Sequence, residues 1–391
     1  MLKGYDMRFE AINSPDKRLS PIVTSKPDCG CTVPVKDDSL SCAEIKTAPY
    51  INGYIRTAAG EIPRVFTALS RRDKWETIKA RMSSFRMSFT VTPGLYAAGN
   101  PDENSDVVVT ANYKMSFDAV RRELNGINAW ILVLDTNGIN VWCAAGKGTF
   151  GTDELVRRIS RTNLSKVVSH KNIIVPQLGA PGIDSGEVRR KSGFRVMYGP
   201  VRAKDLPLYI QNGHKCDAEM RRVRFNITDR LILTPIELRQ IFSKFHYFAL
   251  FVLIFFGLTT EGIIFRDSIT KGYFFLAGGL LSIFAGAFFT PVFLPYIPFR
   301  AFTMKGWAAG IVLFSGSFYM LGIFESYNLY LVVSAMILFP LLSSYMAFQF
   351  TGASTYTSLS GVKRELKIAL PFYISGLILS FIFLILYKVY G

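Results

Sequence analysis

Residues 130–147 read Trp-Ile-Leu-Val-Leu-Asp-Thr-Asn-Gly-Ile-Asn-Val-Trp-Cys-Ala-Ala-Gly-Lys. The opening run, Trp130 to Leu134, is short and continuously apolar, the pattern of a strand buried on both faces. Thr136-Asn137-Gly138 supplies turn chemistry, and Asn140 is a good N-cap for a short helix. Strand, turn and helix in that order carry Cys143 to the carboxyl end of a sheet, where open α/β sheets bind ligands. In the first turn of such a helix the free backbone N–H groups favour negative charge. A cysteine there suits the work of a soft-metal ligand or a nucleophile. The competing reading is a small buried hydrophobe, which is what most free cysteines are.

The flanking sequence alternates strand and helix. Val107 to Thr110 reads as a strand, 116–125 as a helix capped by Ser116, and 152–162 as a helix capped by Thr152. Asn172 to Val175 reads as a strand ending at Pro176, followed by a Gly/Pro loop over 177–182. A helix near 184–191, a strand near 194–198 and a helix near 203–211 complete the run. This order predicts an α/β domain over about 76–235, a Rossmann-like parallel or mixed sheet flanked by helices. Its strands end on small or polar pairs: Ala111-Asn112, Asp135-Thr136, Pro176-Gln177 and Gly199-Pro200. Such ends leave room for a large flat ligand across the sheet edge. They are also ordinary βα-turn chemistry.

The chain has 391 residues, half of them hydrophobic and 32 of them Phe. The apolar excess is concentrated after residue 244, where 245–391 holds eight Lys/Arg and four Asp/Glu. Five apolar runs, about 245–264, 273–294, 306–324, 329–349 and 369–388, approach the roughly 20 residues that cross a bilayer core. They predict an all-α transmembrane domain of five helices after a juxtamembrane linker, 236–244. No secretory leader is expected, because the first apolar run comes only after residue 244. Arg300 and Lys305 in the second loop, with Lys363, Arg364 and Lys367 in the fourth, orient the soluble part toward the cytoplasm. The expected location is therefore the inner (cytoplasmic) membrane. The spans lack the chain of buried ionisable residues expected of a pump.

Of the net charge of +16, +12 falls in 1–244 and +4 in 245–391. The basic residues are dispersed, with no zinc-finger or RNP pattern, so nucleic acid is not an expected partner. Arg221, Arg222, Arg224, Arg230, Arg239 and Lys244 lie close to the first span, where anionic membrane lipid attracts them. Cys29, Cys31 and Cys42 fall in a Pro-, Ser- and Lys-containing extension, 1–75, read as partly irregular. They lack the fourth ligand and CxxC pairing of a metal or cluster site. His214, Cys216 and His246 stand alone. Gly146-Lys147-Gly148-Thr149 fails as a phosphate-binding loop, because Val141 and Gly148 occupy positions that need Gly and Ser/Thr. No Gly-x-Gly-x-x-Gly follows a strand, and no histidine is arranged to serve Cys143 as a base. Ligand chemistry at Cys143 is therefore favoured over acyl transfer.

Asn140 to Lys147 resembles the cap-helix motif of the HgcA family, the membrane-bound corrinoid proteins of mercury methylation. The resemblance continues through Pro93-Gly94-Leu95-Tyr96, Thr110-Ala111-Asn112-Tyr113-Lys114, Leu134-Asp135-Thr136, Gly148-Thr149-Phe150-Gly151-Thr152 and Val175 to Gly182. It covers about residues 80–391, five membrane spans included. The soluble part is similar to the corrinoid domain of corrinoid iron–sulfur proteins of anaerobic one-carbon metabolism, which lack the cap-helix cysteine.

The resemblance implies a cobalamin-type corrinoid with the Cys143 thiolate as the lower axial ligand to cobalt and the catalytic residue. Together with strand-end position it assigns cofactor contacts to Thr110, Asn112 and Tyr113. The same assignment takes in Asn140, Val141, Trp142, Cys143, Ala144, Ala145, Gly146, Lys147, Gly148 and Thr149, and Pro176, Gln177, Gly199 and Pro200. Ala144 and Ala145 would let the helix approach the ring, and Trp142 would pack the cap on the domain. A strong thiolate donor would favour release of the methyl group to the electrophile Hg(II). The expected partners are a separate ferredoxin-like iron–sulfur reductant and a methylated folate or methyl-donor methyltransferase. The expected activity is corrinoid-dependent methylation of Hg(II). The rivals are a corrinoid methyl carrier with another acceptor and a membrane metal transporter with a regulatory domain.

Overall fold

The computed structural model describes residues 48–390 apart from 260, 261, 264, 355, 356 and 358, so Cys29, Cys31 and Cys42 lie outside the described residues. A hairpin opens the fold, β1 (Ile51–Thr57) and β2 (Gly60–Val65), followed by helix α1 (Arg71–Met82). Then come β3 (Gly94–Ala98), β4 (Val107–Ala111), α2 (Lys114–Glu123), β5 (Ala129–Leu134) and α3 (Val141–Lys147). Next are α4 (Thr152–Arg161), β6 (Asn172–Val175), a 3₁₀ segment (Gln177–Gly182), α5 (Ser185–Ser192), β7 (Arg195–Tyr198) and α6 (Leu206–Gln211).

The seven strands form one mixed sheet in the order β1-β2-β3-β5-β4-β6-β7. β5, β4, β6 and β7 run parallel, whereas β3 pairs antiparallel with β5. Strand alternation divides the core. Val107, Val109, Trp130, Leu132 and Leu134 pack on one face. Val108, Ile131, Val133 and Tyr96 pack on the other. Among the described residues the sheet begins at Ile51, inside the segment read as an irregular extension. The β1–β2 hairpin is half-exposed along β1, so it carries no continuous apolar run to mark it in the sequence.

Three local expectations shift. Helix α2 starts at Lys114 rather than at Ser116, with Tyr113 in the N-cap position and no side-chain cap. The Lys114 N–H donates to the Phe89 carbonyl at 3.0 Å, so a distant segment does the work of a cap. Gly151, not Thr152, occupies the N-cap position of α4, and the Thr152 hydroxyl instead accepts from the Asp184 N–H at 2.8 Å. The expected 203–211 helix is a 3₁₀ turn, Ala203–Asp205, leading into α6.

A long helix, α7 (Ile227–Gly257), follows, then α8 (Phe265–Ile283) with a π-helical continuation (Phe284–Phe289), α9 (Phe302–Met320), α10 (Leu329–Gln349) and α11 (Leu359–Tyr390). Among the described residues four helices are long and apolar enough to cross a membrane: Ile227–Gly257, Gly272–Val292, Leu329–Gly352 and Ser360–Tyr390. The five expected spans are thus matched by four. The remaining one falls on α9, whose Gly306, Gly310, Ser315, Gly316 and Ser317 dilute its apolar character. At 1.5 Å per residue, the 31 residues of α7 run for about 46 Å, well beyond a core of about 30 Å. Its first turns therefore project on the side of the sheet domain and absorb the expected linker, 236–244. There Asp229 pairs with Arg202 at 2.7 Å.

Helix packing in the bundle uses small residues. Gly306 and Gly310 of α9 lie four apart, against Pro340, Ser343, Ser344 and Ala347 of α10. The Ser343 hydroxyl donates to the Gly306 carbonyl at 2.8 Å. This is the close helix approach that small residues permit in lipid, where van der Waals contact and interhelical hydrogen bonds drive association.

Candidate functional site

Chain order fixes where a ligand can enter. From β4 the chain crosses to β5 on one side, and from β5 it returns past β4 to β6 on the other. The strand order thus reverses between β4 and β6, and the carboxyl ends there are the expected binding crevice. A cavity of about 310 Å³ lies at this place. Thr110 of β4, Pro176 after β6, Gly199 and Pro200 after β7, and Asn140, Val141 and Trp142 at the start of α3 all line it. Most of the rest of its wall is aliphatic: Val108, Val109, Val120, Ile174, Leu178, Val201 and Leu206.

A polar network aims α3 at this cavity. Asn112, buried at the end of β4, accepts hydrogen bonds at its Oδ1 from the Thr136 N–H (3.0 Å), the Thr136 hydroxyl (2.8 Å) and the Gly138 N–H (3.0 Å). Its Nδ2 donates to Asp135 at 3.2 Å. Asn112 thereby clamps the β5–α3 turn, in which Asn137 and Gly138 take positive φ. Glu154 of α4 holds the same corner, accepting from the Asp135 N–H at 2.9 Å and from Arg158 at 2.7 Å. Burial pushes the Glu154 carboxyl up. The hydrogen bonds from Asp135, Arg158 and Arg157 outweigh that and hold it below its ordinary value.

Asn140 caps α3 as read from the sequence, its side chain accepting from the Cys143 N–H at 2.9 Å. Burial divides the helix into two faces. Val141, Ala144 and Ala145 enter the core, whereas Trp142, Cys143, Gly146 and Lys147 are exposed. Ala144 and Ala145 therefore pack on the domain, on the other face of the helix from Cys143. Gly182 lets the loop behind come close to this helix: a Cβ there would stand 2.2 Å from the Phe150 carbonyl oxygen and 3.1 Å from the Ala145 Cα. Gly148 ends the helix at φ +80°. Thr149 follows, its N–H donating to the Ala144 carbonyl at 3.0 Å.

Of the residues expected at the site, Thr110, Asn140, Val141, Trp142, Pro176, Gly199 and Pro200 meet in the cavity wall. Cys143 is exposed next to Trp142 and is not part of that wall. Gln177 is engaged by Arg221 at 3.0 Å. Tyr113 lies in a separate small cluster with Phe89 and Ala80. Sequence reasoning missed Ser116, Ala119 and Val120 of α2, and Ala203 and Leu206 beyond β7. The spacing 116, 119, 120 marks one helix face, but nothing local says that this face borders a cavity.

Two other side chains are placed by partners rather than by the cavity. His214 contacts Asp106 at 2.9 Å. Burial pushes the half-buried Cys216 thiol up. Among the described residues no group of three or more His, Cys, Asp or Glu side chains is placed to hold a metal ion.

A family model described as CO dehydrogenase/acetyl-CoA synthase delta subunit matches residues 82–209. Acetyl-CoA decarbonylase/synthase complex subunit gamma of Methanopyrus kandleri is 33% identical over 123 residues, covering 31% of this chain and 26% of that protein. Subunit gamma 2 of Methanosarcina thermophila is 36% identical over 130 residues, or 32% and 27% of the two chains. Subunit gamma of Methanocaldococcus jannaschii is 33% identical over 124 residues, 31% and 25%. The chain thus spans about a quarter of the length of these relatives. The stretch matched by the family model, 82–209, contains every residue of the cavity wall and all of α3, and it ends before α7.

Proposed function

We propose that this chain is a corrinoid-dependent methyltransferase, carried on membrane-spanning helices in the inner membrane with its sheet domain in the cytoplasm, that methylates Hg(II). The reading rests on one observation above the others. Cys143 is solvent-facing on a short helix at the carboxyl edge of the sheet, one residue from the wall of the switch-point cavity.

The residues present fit a corrinoid. The cavity wall is largely aliphatic, and the strand ends bordering it are stripped to Gly199, Pro200 and Pro176. A Cβ on Gly199 would stand 2.9 Å from Ile174 Cγ2, so a larger residue there would have to displace Ile174, itself part of the cavity wall. A cavity of about 310 Å³ is at the small end for ligands, so a macrocycle would lie mostly across the strand ends rather than within it. When bound, the methylated corrinoid would supply the methyl group. Cys143 would be the protein's ligand to cobalt, and Asn140 would position the sulfur by capping the helix that carries it. Trp142 and Thr110 would border the ring, and the Asn112 clamp would keep α3 from swinging away. Hg(II) would arrive as the electrophilic acceptor. The reductant would be a separate ferredoxin-like iron–sulfur protein, and the methyl source a methylated folate or a donor methyltransferase.

A second reading, a corrinoid methyl carrier with another acceptor, draws on the relatives themselves. They are named as subunits of acetyl-CoA decarbonylase/synthase complexes and are 33–36% identical over 123–130 residues, and the matching family model covers the site-bearing stretch, 82–209. The full chain, purified anaerobically in detergent and supplied with cobalamin, separates the readings. Wild type and Cys143→Ala are compared for bound cobalt, visible spectrum and methylmercury formed. Mercury methylation requires a spectral change in Cys143→Ala with cobalt retained, and loss of most methylmercury. Equal spectra would remove Cys143 from the cobalt. A folded chain that binds no cobalamin would end both readings and favour metal transport.

A further inference from the structure

We infer that the cleft between α9 and α11 binds one anionic phospholipid, with Arg300 and Arg364 on its phosphate and an apolar wall along its acyl chains. The inference is independent of the corrinoid reading, since it concerns only the membrane helices.

The cleft is the larger of the two cavities described, about 1010 Å³. Helix α10 forms its back, through Leu341 and Ser344, and α9 and α11 form its sides. Its polarity is uneven. Arg300 and Arg364 lie at the start of α9 and α11, the end of the bundle that faces the sheet domain. Met304, Trp307, Ile368, Phe372 and Leu379 continue away from them. Each guanidinium carries the planar fork of donors that suits phosphate oxygens, and basic pockets between membrane helices hold acidic headgroups.

The one acid in the cleft is already engaged. Glu365 accepts a hydrogen bond from the Thr303 N–H at 2.6 Å, at the N-terminus of α9. Neither arginine forms an ion pair with an acidic side chain among the described residues. With the Glu365 carboxylate counted, the two guanidinium groups leave the cleft lining with a net charge of +1, which an anionic headgroup offsets and a zwitterionic one does not. Length agrees. From Arg364 to Leu379 is 15 residues of helix, about 22 Å at 1.5 Å per residue. That equals about half of a bilayer of 40–45 Å measured with its headgroups, the depth of one lipid.

The test uses the full chain in detergent micelles, given phosphatidylglycerol and phosphatidylcholine in equal amounts and read by native mass spectrometry. The expected result is retention of one phosphatidylglycerol in preference to phosphatidylcholine. In Arg300→Gln/Arg364→Gln the preference should fall about twenty-five-fold, each basic side chain being worth about fivefold near an acidic headgroup. Should that variant fail to fold, Arg300→Lys/Arg364→Lys keeps the charge without the forks and should retain part of the preference. Brominated phosphatidylglycerol should also quench Trp307 more than brominated phosphatidylcholine does, with Trp307→Phe as the blank. Equal retention of the two lipids, equal quenching, or a preference untouched by the glutamine pair would overturn the site. So would a dimer that shields Trp307 in lipid-free detergent, which would make the occupant a second copy of the chain.

Discussion

Gly182→Ala is the sharpest test of how the cysteine-bearing helix is held. Gly182 does not take positive φ, so a side chain there meets no backbone strain of its own. What it meets is backbone of other segments. The new methyl would stand 2.2 Å from the Phe150 carbonyl oxygen, 3.1 Å from the Ala145 Cα and 3.2 Å from the Ala145 carbonyl oxygen. None of these atoms can rotate away, so the 3₁₀ segment must move by about 1 Å from the Phe150 turn that follows α3 and by a few tenths of an ångström from α3 itself. Overpacking of this kind costs about 1–3 kcal/mol, and contact with backbone on both sides puts the cost near 3. For a domain of 150–250 residues that is a fall in Tm of about 6–12 °C. Gly148→Ala is the matched control. Its Cβ meets nothing within 4 Å but its φ is +80°, so the cost is conformational, about 1–2 kcal/mol. Thermal unfolding of the full chain in detergent, with hydrogen exchange read over 141–150, distinguishes the two. Gly182→Ala should lose exchange protection at Ala144 and Ala145 as well as stability. A Gly182→Ala protein as stable as wild type, with α3 equally protected, would refute the claim that this glycine seats the helix.

Two further outcomes are expected. Asp73 joins Lys114 (2.9 Å) and Arg121 (2.9 Å) in a buried network completed by Asp118. Burial pushes the Asp73 carboxyl up, but hydrogen bonds from Lys114 and Ser70 outweigh it and hold it well below the usual carboxylate range. A depressed carboxylate stabilises the fold above its unfolded value of about 3.9, and that contribution fades as pH falls from about 4 toward the folded value. Asp73→Asn should cost about 3 kcal/mol at neutral pH and flatten the acid limb of a pH–Tm curve; an unchanged acid limb would remove Asp73 from that role. In the bundle, Gly306→Leu should destabilise the full chain in detergent by more than about 2 kcal/mol, because a Cβ there would stand 2.4 Å from the Ala347 Cβ and 2.7 Å from the Ser343 carbonyl oxygen. A Gly306→Leu variant with wild-type unfolding temperature would mean that α9 and α10 do not meet along Gly306 and Gly310.

The sequence by itself determined the parts of this protein that are local. Trp130 to Leu134 reads as a buried strand because every side chain is apolar. Asn140 reads as a cap because it precedes the helix it closes, and both hold in the fold. The α/β alternation and the apolar C-terminal helices are legible for the same reason, since periodicity and run length are properties of adjacent residues. Tertiary structure alone decided what depends on distant segments. It added β1 and β2 to the sheet and satisfied the start of α2 with the Phe89 carbonyl. It turned Ala144 and Ala145 into the core with Ala145 against Gly182, and brought Ser116, Ala119 and Leu206 to the cavity. It also gathered Asp73, Lys114, Asp118 and Arg121 into one buried network. None of these pairings leaves a periodic trace in the chain, because each is made by two backbones or charges that meet only after the sheet has formed.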